Sequence, residues 1–122
     1  MAEILIADDD PILVEILKFR LEGAGYSVTV ARDGEQALAA ARTDRPELIV
    51  LDSMMPIIAG PEVLTELKSD PELRNIPVVM ITARDGEADI VAGLKSGAAE
   101  YLTKPFIPQE LLVRISALLG KS

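Results

Sequence analysis

Apolar residues in this chain follow two alternating rhythms. Short β-branched and aliphatic runs at Ile4–Ala7, Ser27–Ala31, Leu48–Leu51, Val78–Ile81 and Glu100–Thr103 are separated by longer stretches in which apolar positions return every three or four residues. Such alternation marks repeated βα units wound around a parallel sheet. The first, third and fourth runs are continuously apolar, as befits central strands covered by helices on both faces. The pattern predicts an α/β fold of five strands and five helices.

Punctuation between the runs supports the helices. Leu13, Ile16, Leu17 and Leu21 form the first stripe, with Asp10 placed as N-cap, Pro11 at the first helical position, and Gly23 and Gly25 at the end. Gly34 opens a second helix carrying Ala37, Leu38 and Ala41, and Pro46 separates it from the third strand. A third helix follows Pro61 with Val63, Leu64 and Leu67 and stops before Pro71. The fourth carries Ile90, Val91 and Leu94 up to Gly97, and the fifth carries Leu111, Ile115, Leu118 and Leu119.

Composition narrows the function. At 122 residues the chain is the size of one domain, read here as residues 1–122 with no output domain following. Only 3% of the residues are aromatic, so the core must be aliphatic. The 12 Lys plus Arg against 20 Asp plus Glu give a net charge of −8, which argues against direct binding of nucleic acid or anionic lipid by this segment. The absence of cysteine and histidine excludes disulfides, thiolate sites, Ser-His and Cys-His catalysis and the usual zinc sites. Any metal must therefore be held by oxygen. With neither a signal peptide nor an apolar run of membrane-spanning length, cytoplasmic residence is the expectation.

In open parallel sheets ligands bind beyond the carboxyl ends of the strands, so the polar residues there are the candidates. They are Asp8, Asp9 and Asp10 after the first strand, Asp52 after the third, Thr82 after the fourth, and Lys104 with Pro105 after the fifth. Asp10 is best read as a helix cap, which needs one acceptor and leaves Asp8 and Asp9 unexplained. If the strand ends adjoin, Asp8, Asp9 and Asp52 repel one another and call for a cation, best Mg²⁺, with Mn²⁺ as a substitute. A cation, the Lys104 ammonium and the Thr82 hydroxyl around one carboxylate suit phosphoryl chemistry, with Asp52 as nucleophile.

These motifs, "ILIADDD", "LIVLDSMMP", "VVMITARDG" and "GAAEYLTKPF", resemble in order and place those of response-regulator receiver domains of two-component signalling. The resemblance covers nearly the whole chain. It implies a flavodoxin-like, doubly wound five-stranded parallel sheet of order 2-1-3-4-5. It further implies Asp9 as main metal carboxylate, Asp8 acting through water and the Met54 carbonyl as third ligand. Asp52 becomes the phosphoacceptor, Thr82 and Lys104 hold the phosphoryl oxygens, Tyr101 changes rotamer with Thr82, and the Lys104–Pro105 bond is cis. The donor would be a sensor histidine kinase or histidine phosphotransfer protein. The signal would leave through the fourth helix, fifth strand and fifth helix to a downstream protein or output domain, with phosphorylation-dependent homodimerisation expected by analogy.

Met54 and Arg84, two positions beyond Asp52 and Thr82, are expected to flank the hydrolytic water and set the phosphoryl lifetime. Some residues depart from the family pattern: Ser53 replaces an aliphatic residue, "PIIAG" replaces a polar, glycine-bearing loop, and Ala99-Glu100 stands where two acids are frequent. The loop of Ile57, Ile58 and Ala59 is thus expected to expose apolar surface. The alternative to a switch is a receiver-fold interaction module that is not phosphorylated. An aspartyl phosphatase usually needs a second Asp where Met54 stands, and no P-loop or GxGxxG follows the first strand. The domain is therefore expected to take part in its own phosphotransfer and dephosphorylation rather than to turn over substrate.

Overall fold

The computed structural model describes residues 2–82 and 97–120. Five strands, β1 (Glu3–Ala7), β2 (Ser27–Ala31), β3 (Leu48–Asp52), β4 (Val78–Thr82) and β5 (Glu100–Thr103), form one parallel sheet in the order β2-β1-β3-β4-β5. Helices α1 (Pro11–Gly23), α2 (Gly34–Asp44) and α3 (Gly60–Ser69) follow the first three strands, and a last helix, Pro108–Leu118, follows β5. The fourth helix expected at Ile90, Val91 and Leu94 lies outside the described residues, as does Arg84.

Local chemistry explains the helix starts. Asp10 Oδ1 accepts the Ile12 and Leu13 N–H groups at 3.0 and 3.3 Å, with Pro11 opening α1. Asp33 Oδ1 accepts the Gln36 N–H at 2.8 Å and opens α2. Ala59 gives α3 no side-chain cap, in keeping with a loop stripped of polar residues.

Alternation along the strands divides the core between two faces. Ile4, Ile6, Val50 and Ile81 pack with Leu17 of α1 and Ile115 of the last helix, whereas Leu5, Ile49, Leu51 and Met80 pack with Leu38 of α2 and Leu64 of α3. All five residues of β3 and of β4 are buried. Among the described residues no helix is long and apolar enough to cross a membrane.

Two expectations are corrected. In α1 the residues facing the sheet are Val14, Leu17 and Leu21; Leu13 is only half-buried and Ile16 turns outward with Ile12 and Phe19. Both sets recur at helical spacing, and only one can meet the sheet. The third and fourth strands also run one residue further than their apolar runs, because pairing continues through Asp52↔Ile81 and Thr82↔Thr103. Backbone hydrogen bonding carries these polar residues into the sheet, which fixes their direction more firmly than a loop would.

Two glycines permit the close packing behind the site. A Cβ on Gly34 would lie 2.1 Å from the Ile58 carbonyl oxygen, and one on Gly60 would lie 2.3 Å from that of Asp52. Any side chain there must displace backbone.

Candidate functional site

The carboxyl ends of β1, β3 and β5 converge on one pocket. Asp8 and Asp52 are almost fully buried, at 1% and 4% exposure, while Asp9 faces solvent. One carboxylate oxygen from each of the three lies within 4.8 Å of the others. Lys104, on the far side of β4 from these acids, reaches back so that Nζ is 3.3 Å from Asp8 Oδ2 and 3.6 Å from Asp52 Oδ2. Its peptide bond to Pro105 is cis.

Main-chain groups orient the acids. Asp8 Oδ1 accepts the Asp10 N–H at 2.9 Å and Asp52 Oδ1 accepts the Met54 N–H at 3.2 Å. Asp8 Oδ2 is buried with no hydrogen-bond partner among the described residues, since the approach of Lys104 is close enough for charge attraction but lacks hydrogen-bond direction. A buried anionic oxygen left in this condition is costly. Three carboxylates against one ammonium, with only hard oxygen donors, fit a divalent cation of the magnesium type.

The electrostatics agree with that geometry. Burial pushes the Asp52 carboxyl up from 3.8 to about 6, reinforced by the charge of Asp8 and opposed by the Met54 N–H and Lys104. Lys104 loses hydration, which works against its charge, yet the Asp52 and Asp8 carboxylates outweigh that loss and hold it above the usual lysine value. The ammonium is thus firmly charged while one of its acids resists ionisation.

Thr82, 2% exposed, ends β4, and its carbonyl accepts the Lys104 N–H at 2.7 Å. Tyr101 is half-buried against the core cluster that contains Met80, its partner in the β4–β5 register, so it shares a sheet face with Thr82. The Met54 side chain is 74% exposed, and only its amide is seen to engage an acid. The two amides that steer Asp8 and Asp52 had no signal in the sequence beyond standing two residues after them. In the loop after Pro56, Ile57 is exposed as anticipated, but Ile58 packs inward against the core.

Known proteins share this sequence pattern and fold. Residues 4–116 match the response regulator receiver domain family. The chain is 45% identical over 120 residues to the alkaline phosphatase synthesis transcriptional regulatory protein PhoP of Bacillus subtilis, covering 98% of this chain and 49% of that protein. It is 44% identical over 119 residues to the DNA-binding response regulator MtrA of Mycolicibacterium smegmatis, covering 98% and 51%. Among solved structures it superposes with a TM-score of 0.89, at 30% identity and 98% coverage of both chains, on the receiver domain of the sensor histidine kinase PA1611 from Pseudomonas aeruginosa, in which a magnesium ion is coordinated in the active-site cleft.

The chain spans about half the length of the curated relatives it matches. This corrects the expectation that no nucleic acid is bound: a relative called DNA-binding is twice as long as the match, and a charge argument over 122 residues does not extend to such a whole protein. Sequence family, strand order and pocket lead to one identification: the chain belongs to the response regulator receiver domains of two-component signalling.

Proposed function

We propose that Asp52 accepts a phosphoryl group from a partner's phosphohistidine, with Asp8, Asp9, Asp52 itself and the Met54 carbonyl holding Mg²⁺. The observation that carries this reading is the reach of Lys104, whose amine stands 3.3 and 3.6 Å from acids on two other strands. When bound, Mg²⁺ supplies the positive charge that offsets the phosphoryl oxygens and the acids around them.

In the transfer an Asp52 carboxylate oxygen attacks phosphorus, the N–P bond of the phosphohistidine breaks, and its electron pair returns to the imidazole. Lys104 then exchanges a carboxylate partner for a phosphoryl oxygen, and the Thr82 hydroxyl donates to another. Drawing Thr82 toward the phosphoryl group vacates space on the sheet face that Tyr101 shares, so that a local charge is converted into a change at β5 and the helices beside it. The donor is a sensor histidine kinase or histidine phosphotransfer protein. The changed face, spanning the segment from Gly86, β5 and the last helix, meets a downstream protein, an output domain or a second copy of the chain. The domain acts in its own phosphotransfer and autodephosphorylation and is not a turnover enzyme.

Acetyl phosphate with Mg²⁺ is expected to give one labile phosphoryl adduct by intact mass, absent with chelator and absent in Asp52→Asn. An adduct that persists in Asp52→Asn refutes the site, and none in the parent protein favours the unphosphorylated interaction module. Met54 is exposed beside Asp52, and with Arg84 it is taken to border the path of the hydrolytic water. Replacing Met54 is expected to change the decay of that adduct; an unaltered decay rate removes it from this role.

A further inference from the structure

The loop joining β3 to α3 contains the least comfortable backbone position among the described residues. Ile57 has φ 72, in the left-handed region that β-branched residues strongly avoid. The Ile58 N–H donates to the Pro56 carbonyl at 2.9 Å across it, which closes a γ-turn of the positive-φ kind, the rarer and more strained form. Nothing done by the Ile57 side chain offsets this, for it is 72% exposed.

The turn is held by its neighbours. On one side Met55 is buried, and on the other Ile58 packs into the same core cluster, so the chain must reverse within three residues to seat both. The Gly34 N–H donates to the Pro56 carbonyl at 3.4 Å, and the Gly60 N–H donates to the Ser53 carbonyl at 3.1 Å. Met54 lies inside this clamp, with its own N–H on Asp52 Oδ1. If Ile57 relaxes to negative φ, either Ile58 leaves its seat beside Gly34 or the Met54–Pro56 segment shifts.

We propose that Ile57 is a positioning residue that weakens the cation site, because the γ-turn it occupies under strain is what presents Met54 beside Asp52. The inference rests on the reading of Met54 as a cation ligand. Strain at one such position is enough to populate loop arrangements in which Met54 is displaced. A residue at ease with positive φ keeps the loop in its ligating arrangement and tightens ion binding, at no change in any charged group.

The test is calorimetric titration of Mg²⁺ into the chelator-treated 122-residue chain and three variants. Ile57→Asn and Ile57→Gly both tolerate the left-handed region; Ile57→Ala removes the same exposed side chain but retains a Cβ that disfavours it. Asn and Gly are expected to bind Mg²⁺ about three- to tenfold more tightly than the parent, with Ala within about twofold of it. Without the ion, Ile57→Asn is expected to melt several degrees above Ile57→Ala. A purely structural role would separate the melting temperatures and leave the Mg²⁺ affinities alike, which overturns the inference while the ion reading stands. Absence of Mg²⁺ binding in all four proteins overturns the ion reading and this inference with it.

Discussion

Replacing Asp52 with Asn is expected to abolish phosphorylation and at the same time to make the metal-free protein more stable at neutral pH. The two effects have one cause, a buried carboxylate surrounded by others. Burial and the neighbouring acids raise Asp52 from 3.8 to about 6, so the fold prefers its neutral form. A raised acid contributes stability that is fully present below its unfolded value near 3.8 and is lost as pH rises through its folded value near 6. Above that window the parent carries a penalty that Asn, with no proton to lose, does not.

At about 1.4 kcal/mol per pH unit the full shift corresponds to roughly 3 kcal/mol, and relaxation of the pocket reduces the expected gain to about 1–3 kcal/mol. Urea midpoints measured with chelator between about pH 4 and pH 8 should show the parent declining through the window while Asp52→Asn stays level. Parallel curves would mean that Asp52 is not held up by its surroundings. Mg²⁺ should narrow the gap at neutral pH, since a ligand bound only by the folded state at about 100 times its Kd adds roughly 2.7 kcal/mol.

Lys104→Met is expected to act in the opposite sense on stability and in the same sense on chemistry. With the ammonium gone, Asp8 and Asp52 keep their burial and lose the cation lying 3.3 and 3.6 Å away. Breaking a buried ion pair by removing one partner costs about 3–5 kcal/mol, but Lys104 is partly open to water and about 1–3 kcal/mol is the expected loss. In the Asp52→Asn background the loss should shrink, because part of the unpaired charge is already absent; equal losses in both backgrounds would show that the two residues do not interact. The rate of adduct formation from acetyl phosphate should fall by about 10²-fold or more, as when a single donor to a developing charge is removed. A rate within about twofold of the parent would remove Lys104 from the chemistry.

Most of the fold was legible because parallel βα units write themselves into two different periods. The runs at Leu48–Leu51 and Val78–Ile81 are apolar on both faces, and only a central strand needs that. What the periodicity left open was orientation and length. In α1, Ile12, Ile16 and Phe19 are as regularly spaced as Val14, Leu17 and Leu21, and the choice between them is made by the sheet. Asp52 has poor strand propensity and Thr82, although β-branched, breaks an apolar run with a polar side chain, so the ends of β3 and β4 emerged only with the pairing of neighbouring strands. Leu73, buried at 2% exposure in a turn after α3, belongs to neither rhythm and had no periodic signal.

The pocket was legible as residue types at strand ends, since carboxylates following apolar strands need a purpose. Its fine structure was not. The unpartnered Asp8 Oδ2, the amides that orient the acids and the positive φ of Ile57 all depend on main-chain geometry, which side-chain chemistry does not encode directly.

Asp52 is rooted in the middle strand of the sheet, whereas Lys104 hangs from the margin, after β5, which hydrogen-bonds to one neighbour only. Local opening costs least at margins and most at the centre. Fraying of that outer strand therefore withdraws the amine while the acids keep their places, so the charge balance of the cleft fails before the protein unfolds. Amide isotope exchange at Lys104, whose N–H is held by the Thr82 carbonyl, would serve as the early gauge of that failure, with Val50 and Leu51 exchanging only on global opening.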